Sequence, residues 1–318
     1  MYRRILVPLD GSLAAEAALG VATGIARRTG ATLELALVFT PVAAALAAAP
    51  VAVDYAELDQ IQFDEEEAYL QRVTRRLADE PGLVVNAQHL RGPVVLALAG
   101  AVRESRADLV VMTTHGRGAV GRLWLGSVAD GLIRVSRAPV LLLRANDRVP
   151  AAAGFRRLLL PLDESAEAEA SVKAARDLVA EEGECLLLTV VDPRPLVQVA
   201  PLPFAVIPDL VVRPEVKEGA LRYLERQARR LRRMGVRARA AVRVASNAAV
   251  EILEEADREK VDAIVVTTHG VGGIRRLLLG SVVDKLVRSA DVPVLVCRPT
   301  RARDIPERRR ALSLAQSN

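Results

Sequence analysis

Two stretches of the chain hold residue types suited to gripping an anion. One reads Gly116, nine residues, then Gly126-Ser127; the other reads Gly270, nine residues, then Gly280-Ser281. Glycine lets backbone N–H groups come close to a bound group. A helix opening at Ser127 or Ser281 presents unpaired N–H groups and the positive end of its dipole. The serine hydroxyl can donate to a phosphate or cap its own helix. Arg117 and Arg122, or Arg275 and Arg276, add positive charge. This chemistry suits a polyphosphate. A plainer reading stays open: Gly126 and Gly280 permit a tight turn, and the serines are ordinary caps.

Asp10 and Asp163 each follow a short apolar run. Such a carboxylate can accept from an adenine amine or a ribose hydroxyl. It can equally serve a turn or a helix cap, because Gly11-Ser12 and Glu164-Ser165 follow. His115 and His269 occupy equal places but lack the His or Cys partners that metal binding or catalysis needs, so they read as loop residues holding backbone. Several chemistries are excluded. The chain has no G-x-x-x-x-G-K-[ST] loop, no G-x-S-x-G elbow and no evident nucleophile–base pair. Gly116-x-Gly118 lacks the helix and acidic partner of a dinucleotide fingerprint.

These residues recur because the chain is duplicated. Ile5-Leu6-Val7-Pro8-Leu9-Asp10 returns as Leu158-Leu159-Leu160-Pro161-Leu162-Asp163. Residues 108–130 return at 262–284, with 14 of 23 positions identical. A period of about 154 residues is too long for a solenoid and means two copies of one domain. The expected division is 1–146, a linker at 147–155, a second domain at 156–298 and a basic tail at 299–318. Each copy alternates strands and helices. The first copy reads as strands at 4–9, 33–39, 84–90, 108–113 and 139–144. Its helices read at 12–29, 57–79, 93–105 and from a Ser127 cap to about 136. The second copy reads as strands at 157–162, 185–191, 237–243, 262–267 and 293–298, with helices at 167–181, 215–234, 248–258 and 281–289. Short, wholly apolar strands alternating with helices imply a parallel, doubly wound α/β sheet. Ligands of such folds bind at the carboxyl ends of the strands, where Asp10 and Thr113 fall.

Composition agrees. The 318 residues are 51% hydrophobic and 26% charged, enough for two cores. Aromatics are only 3%, which suits buried aliphatic strands and Ala-rich helices. The formal charge of +5 is largely local to the tail, where five arginines face Asp304 and Glu307, so nucleic acid is not expected as a partner. That tail holds too little apolar material to pack and reads as disordered. Two cysteines, Cys185 and Cys297, make no disulfide framework and point to a reducing, cytoplasmic compartment. No signal peptide is visible, and the uncharged run 35–53 is interrupted by Pro41 and Pro50, so no membrane span is expected. The apolar, proline-broken runs Pro41–Val53 and Pro195–Pro208 read as loops over the sheet edge, or lids over a ligand.

The segments Ile5–Ser12, Thr113-Thr114-His115-Gly116-Arg117-Gly118 and Leu125-Gly126-Ser127-Val128, the strand ending in Val38, the strand Pro139–Arg144 and their second-copy equivalents resemble the universal stress protein family in its tandem form. The resemblance covers about residues 1–145 and 155–298. It implies two five-stranded parallel sheets flanked by helices, of the adenine nucleotide alpha hydrolase-like kind. It also implies ATP binding, accompanied by magnesium or manganese, and a regulatory role in the stress response. Carried over, Asp10 and Asp163 meet the adenine, with Pro8 and Pro161 in the same set, and Val38 and Val190 offer backbone to the base. Gly116, Gly126, Ser127 and Val128, with Gly270, Gly280, Ser281 and Val282, hold ribose and phosphates. The family pattern is Gly, two residues, Gly, nine residues, Gly-Ser/Thr. Its first glycine is replaced here by Thr113 and Thr267, whose β-branched side chains restrict the backbone and narrow the space beside the ribose. The domains are expected to pack about a pseudo-twofold axis through their fifth strands, with a homodimer also open. Two other functions remain open: an interaction scaffold whose clefts the threonines close, and a slow ATP hydrolase lacking a visible general base.

Overall fold

The computed structural model describes residues 1–41, 55–114, 125–144, 154–165, 169–193, 214–268 and 279–298. The first repeat runs β1 (Arg4–Leu9), α1 (Leu13–Thr29), β2 (Thr32–Phe39), α2 (Tyr55–Ala78), β3 (Val84–Arg91), α3 (Val94–Glu104), β4 (Leu109–Thr113), α4 (Ser127–Val135) and β5 (Val140–Leu143). The second runs β6 (Phe155–Pro161), α5 (Glu169–Leu178), β7 (Val179–Val191), α6 (Pro214–Arg233), β8 (Arg237–Val244), α7 (Ala248–Arg258), β9 (Ala263–Thr267), α8 (Ser281–Ser289) and β10 (Val294–Cys297).

Local chemistry sets the elements. Helix α1 starts where the Ser12 hydroxyl accepts from the Ala15 N–H at 3.1 Å. It stops at Gly30, whose φ of 69° only glycine adopts at little cost. Between these ends Ala18, Leu19, Ala22, Ile25 and Ala26 recur at helical spacing and are buried. Strands β4, β5 and β10 bury every residue, as parallel strands covered on both faces must.

The two repeats share one ten-stranded sheet, in the order β3-β2-β1-β4-β5-β10-β9-β6-β7-β8. Each half is parallel throughout. The halves meet antiparallel at their fifth strands, with Leu142 opposite Val294, Leu141 opposite Leu295 and Val140 opposite Val296. The core is continuous across that seam. Ile5, Leu109 and Leu141 share one face with Leu158, Val265 and Leu295, while Leu6, Val110 and Leu142 share the other with Ile264 and Val294. Polar contacts reinforce it: the Met1 amino group meets Asp177 at 2.8 Å, and Arg28 Nη2 donates to the Leu178 carbonyl at 2.7 Å.

One expected element changes. The helix read at 167–181 ends at Leu178, and the strand read at 185–191 begins at Val179. The helix-favouring Glu181-Glu182 pair is overridden by sheet pairing. Val179 sits opposite Phe155, and the register shifts between Phe155 and Arg157 to absorb the extra length. Burying Phe155, Val179 and Ala180 outweighs local propensity.

One buried ion-pair cluster sets the second repeat apart. Fully buried Glu255 on α7 accepts from Arg243 Nη2 at 2.7 Å and Nε at 3.2 Å, and also pairs with Arg258. The matching first-repeat residues, Leu90 and Ala101, are apolar. A buried carboxylate stripped of a partner is costly, whereas removing both partners is often nearly neutral. Arg243→Leu should therefore destabilise the protein by about 2 kcal/mol, and adding Glu255→Ala should recover most of the loss, as a denaturation double-mutant cycle would read.

Cys185 and Cys297 are buried and unbridged. Burial pushes each thiol up to about 12. A disulfide-exchange reagent at pH 8 should leave both native thiols unlabelled and label both after denaturation.

Candidate functional site

A cleft of about 1200 Å³ opens at the carboxyl ends of β1, β2 and β4 in the first repeat. The chain leaves β1 toward β2 on one side and reaches β4 on the other, so this is where the strand order reverses. The lining includes Pro8 on β1, Asp10 just after it, Val38 on β2, Thr113 on β4, and Gly126, Ser127 and Val128 at the start of α4. These sequence-predicted residues are thus brought together. Leu37, Leu98 and Met112 give the cleft an apolar wall.

The Asp10 carboxylate is anchored. Its Oδ1 accepts from the Ser12 N–H at 3.0 Å and the Ser12 hydroxyl at 2.6 Å, and Ser12 in turn caps α1. Asp10 therefore does the turn work while bordering the cleft. Asp163 repeats the geometry, with Ser165 N–H at 3.2 Å and hydroxyl at 2.6 Å.

The two helix starts carry no side-chain cap. The sequence suggests Ser127 and Ser281 as caps, but Gly126 and Gly280 occupy those positions and the serines are the first helical residues. The cause is a backbone tie. Gly126 N–H donates to the Thr114 carbonyl at 2.9 Å, and its own carbonyl closes the first turn with Asp130 N–H at 2.9 Å. A serine side chain one residue later sits too far along to cap. In the second repeat Gly280 N–H reaches the Thr268 carbonyl at 3.3 Å. The amides at the head of α4 therefore border the cleft with no N-cap side chain accepting from them.

The repeats differ in detail. A Cβ on Gly126 would lie 2.7 Å from the Thr114 carbonyl oxygen, whereas one on Gly280 would lie 3.5 Å from that of Thr268. Where the first repeat has Leu37 in the cleft wall, the second has Thr189, whose hydroxyl donates to the Leu162 carbonyl at 2.9 Å. Asp163 is exposed, Pro161 and Val190 are half-buried, and Thr267 ends β9 opposite Cys297. Ser281 and Val282 open α8 as Ser127 and Val128 open α4. Gly116, Gly270, His115, His269, Arg117, Arg122, Arg275, Arg276, the runs 42–53 and 195–208 and the tail 299–318 lie outside the described residues.

Several cleft residues escaped the sequence reading. Gln62 and Glu66 reach in from α2, and Gln62 Nε2 donates to Glu66 Oε1 at 2.8 Å. Glu66 is held by His89 Nε2 at 3.0 Å, while His89 Nδ1 meets Glu67 at 3.2 Å and its ring stacks on Phe63 at 4.2 Å. His89 thus fastens α2 over the sheet. Arg134 also lines the cleft, gripping Asp130 through Nε at 2.8 Å and Nη2 at 2.7 Å. That hydrogen-bonded carboxylate raises the Arg134 pKa, and Asp284 adds charge from the second repeat. Arg288, on α8 of the second repeat, lines the same cleft. The missed signal was the repeated spacing Asp130-x-x-x-Arg134 and Asp284-x-x-x-Arg288.

The fold has known counterparts. The sequence matches the universal stress protein family over residues 1–144 and again over 154–298, and the chain belongs to that family. It has the tandem form, with two such domains in one polypeptide. A universal stress protein of Mycolicibacterium smegmatis is 30% identical over 299 residues, covering 93% of this chain and 97% of that protein. One from Mycobacterium tuberculosis strain H37Rv is 28% identical over 195 residues, 61% of this chain and 63% of that protein. The crystal structure of a universal stress protein from Archaeoglobus fulgidus has the same fold, with a TM-score of 0.66 at 20% identity over 93% of this chain and 96% of that one.

The unequal glycine contacts lead to a measurable asymmetry. Gly126→Ala forces a Cβ against a backbone oxygen and should cost about 1–3 kcal/mol of stability. Gly280→Ala meets ordinary van der Waals contact and should cost less than about 1 kcal/mol in the same denaturant titration.

Proposed function

We propose that the first-repeat cleft binds an adenine nucleotide, ATP with Mg²⁺ or Mn²⁺, as a regulatory ligand in a stress response. The observation that carries this reading is the head of α4, whose N-cap Gly126 puts no side chain over the amides, opening onto a roomy cleft with apolar lining. The amides of Ser127 and Val128 and the helix dipole favour the phosphates. Leu37, Leu98 and Met112 suit the faces of a purine, while Val38 backbone and Asp10 can meet its edge. The cation would lower the charge of the phosphates where Asp130 stands close by.

Thr113 borders the cleft and is largely buried, so the β-branched group at the position of the family's first glycine lies beside the proposed ligand. That observation favours the second reading, a scaffold whose cleft stays empty. The positions Pro161, Asp163, Val190, Thr267, Gly280, Ser281 and Val282 form the corresponding second-repeat set, and binding stoichiometry separates one site from two. Regulation requires the ligand to favour one domain arrangement over another. Buried, unbridged thiols accord with a reducing, cytoplasmic setting. No helix among the described residues is long and apolar enough to cross a membrane.

Mass action supplies the test. A ligand at a hundred times its Kd adds about 2.7 kcal/mol of stability. ATP with Mg²⁺ at millimolar concentration should raise the melting temperature by several degrees, with one nucleotide per chain recovered by mass spectrometry if only the first cleft binds. No shift at saturating ATP would overturn the nucleotide reading and leave the scaffold.

A further inference from the structure

We propose that Arg288, from the second repeat, is a ligand for the phosphate end of a nucleotide held in the first-repeat cleft. This rests on the nucleotide reading above. It makes that cleft a composite of both repeats, so that occupancy reinforces the seam between them.

Arg288 and Arg134 both line the cleft, one from each repeat, together with the head of α4. Each arginine is oriented by an aspartate one turn earlier on its own helix. Asp130 holds Arg134, and Asp284 holds Arg288 through Nε at 2.9 and 3.0 Å. Gripping a guanidinium through a carboxylate fixes its plane and lowers the entropy lost when it meets an anion. The Arg288 side chain is 35% exposed, so a ligand can reach it without first unpacking the core.

The second helix is itself fastened to the first repeat. Arg144, directly after β5, donates Nη2 to the carbonyl of Val287, the residue before Arg288, at 2.7 Å. The β5–β10 pairing fixes the strands behind it. Arg288 is therefore delivered to the neighbouring cleft by a rigid path: seam, then Arg144, then the last turn of α8. Among the described residues, Arg134, Asp130 and Asp284 stand nearest Arg288, and Asp10 and Glu66 line the same cleft. Phosphate would therefore be held by the placement of the two guanidiniums rather than by an excess of positive charge, with the accompanying cation offsetting the carboxylates. An arginine donates in a planar fork that matches phosphate oxygens, so the contact should grow with the number of phosphates.

The test uses the full chain and two probes, ATP with Mg²⁺ and adenosine, read by calorimetry or by thermal shift at millimolar ligand. Arg288→Ala should weaken ATP about tenfold or more and leave adenosine within about twofold. Arg288→Lys should recover part of the ATP affinity, because the charge returns without the fork. If the wild-type protein binds neither probe, the nucleotide reading fails. If the wild type binds ATP and Arg288→Ala binds it equally well, the nucleotide reading stands and this inference falls. Equal loss of ATP and adenosine also overturns it, since that pattern marks a purely structural residue. Should Arg288→Ala not fold, Arg288→Gln, which keeps the stem and removes the charge, takes its place with the same expected outcomes.

Discussion

The antiparallel pairing of β5 with β10 is the constraint on which the rest depends. Three residue pairs join two parallel half-sheets that run in opposite senses, and both layers of side chains continue across them. That one seam sets where every strand end falls. It turns the carboxyl ends of the two half-sheets to opposite sides and brings α4 and α8 near enough for Arg134 and Arg288 to line one cleft. Because the partner is tethered, the pairing does not wait for a bimolecular encounter, and its effective concentration is set by the chain itself.

The first cleft follows from that arrangement. A parallel strand order that reverses between β1 and β4 leaves a gap above the sheet, and the backbone tie from Gly126 to Thr114 starts α4 at its rim. The tie makes glycine necessary in the first repeat through close approach to a carbonyl, not through an unusual φ. The same seam carries Arg288 across. Domain organisation and ligand geometry are therefore linked in one element, which a single-repeat description would separate.

Much of this was legible in the sequence. The duplicated apolar runs fixed the strands because a buried parallel strand tolerates few polar residues, and the duplication placed Asp10, Thr113 and Gly126 at strand ends. The failures have physical causes. Glu181 and Glu182 favour a helix locally, yet Val179 is drawn into the sheet opposite Phe155. Ser127 has the chemistry of a cap, yet the tie at Gly126 opens the helix one residue earlier. Gln62, Glu66 and Arg288 come to the first cleft from distant elements, and no spacing along the chain announces a meeting made by tertiary packing. The repeated Asp-x-x-x-Arg pair was visible, but only the seam gives it meaning.

Among the described residues the merged sheet ends in two outer strands, β3 and β8. Both present backbone groups that another chain could pair with, the usual route to fibril growth. Their sequences discourage it: β8 carries Arg237, Arg239 and Arg243, and β3 carries Asn86, Gln88 and Arg91. Fusing the repeats hid the two most apolar edges, Val140–Leu143 and Val294–Cys297, and left outermost the pair that charge and polarity already guard. The duplication thereby confers resistance to templated aggregation that an isolated half, with its aliphatic fifth strand uncovered, would lack.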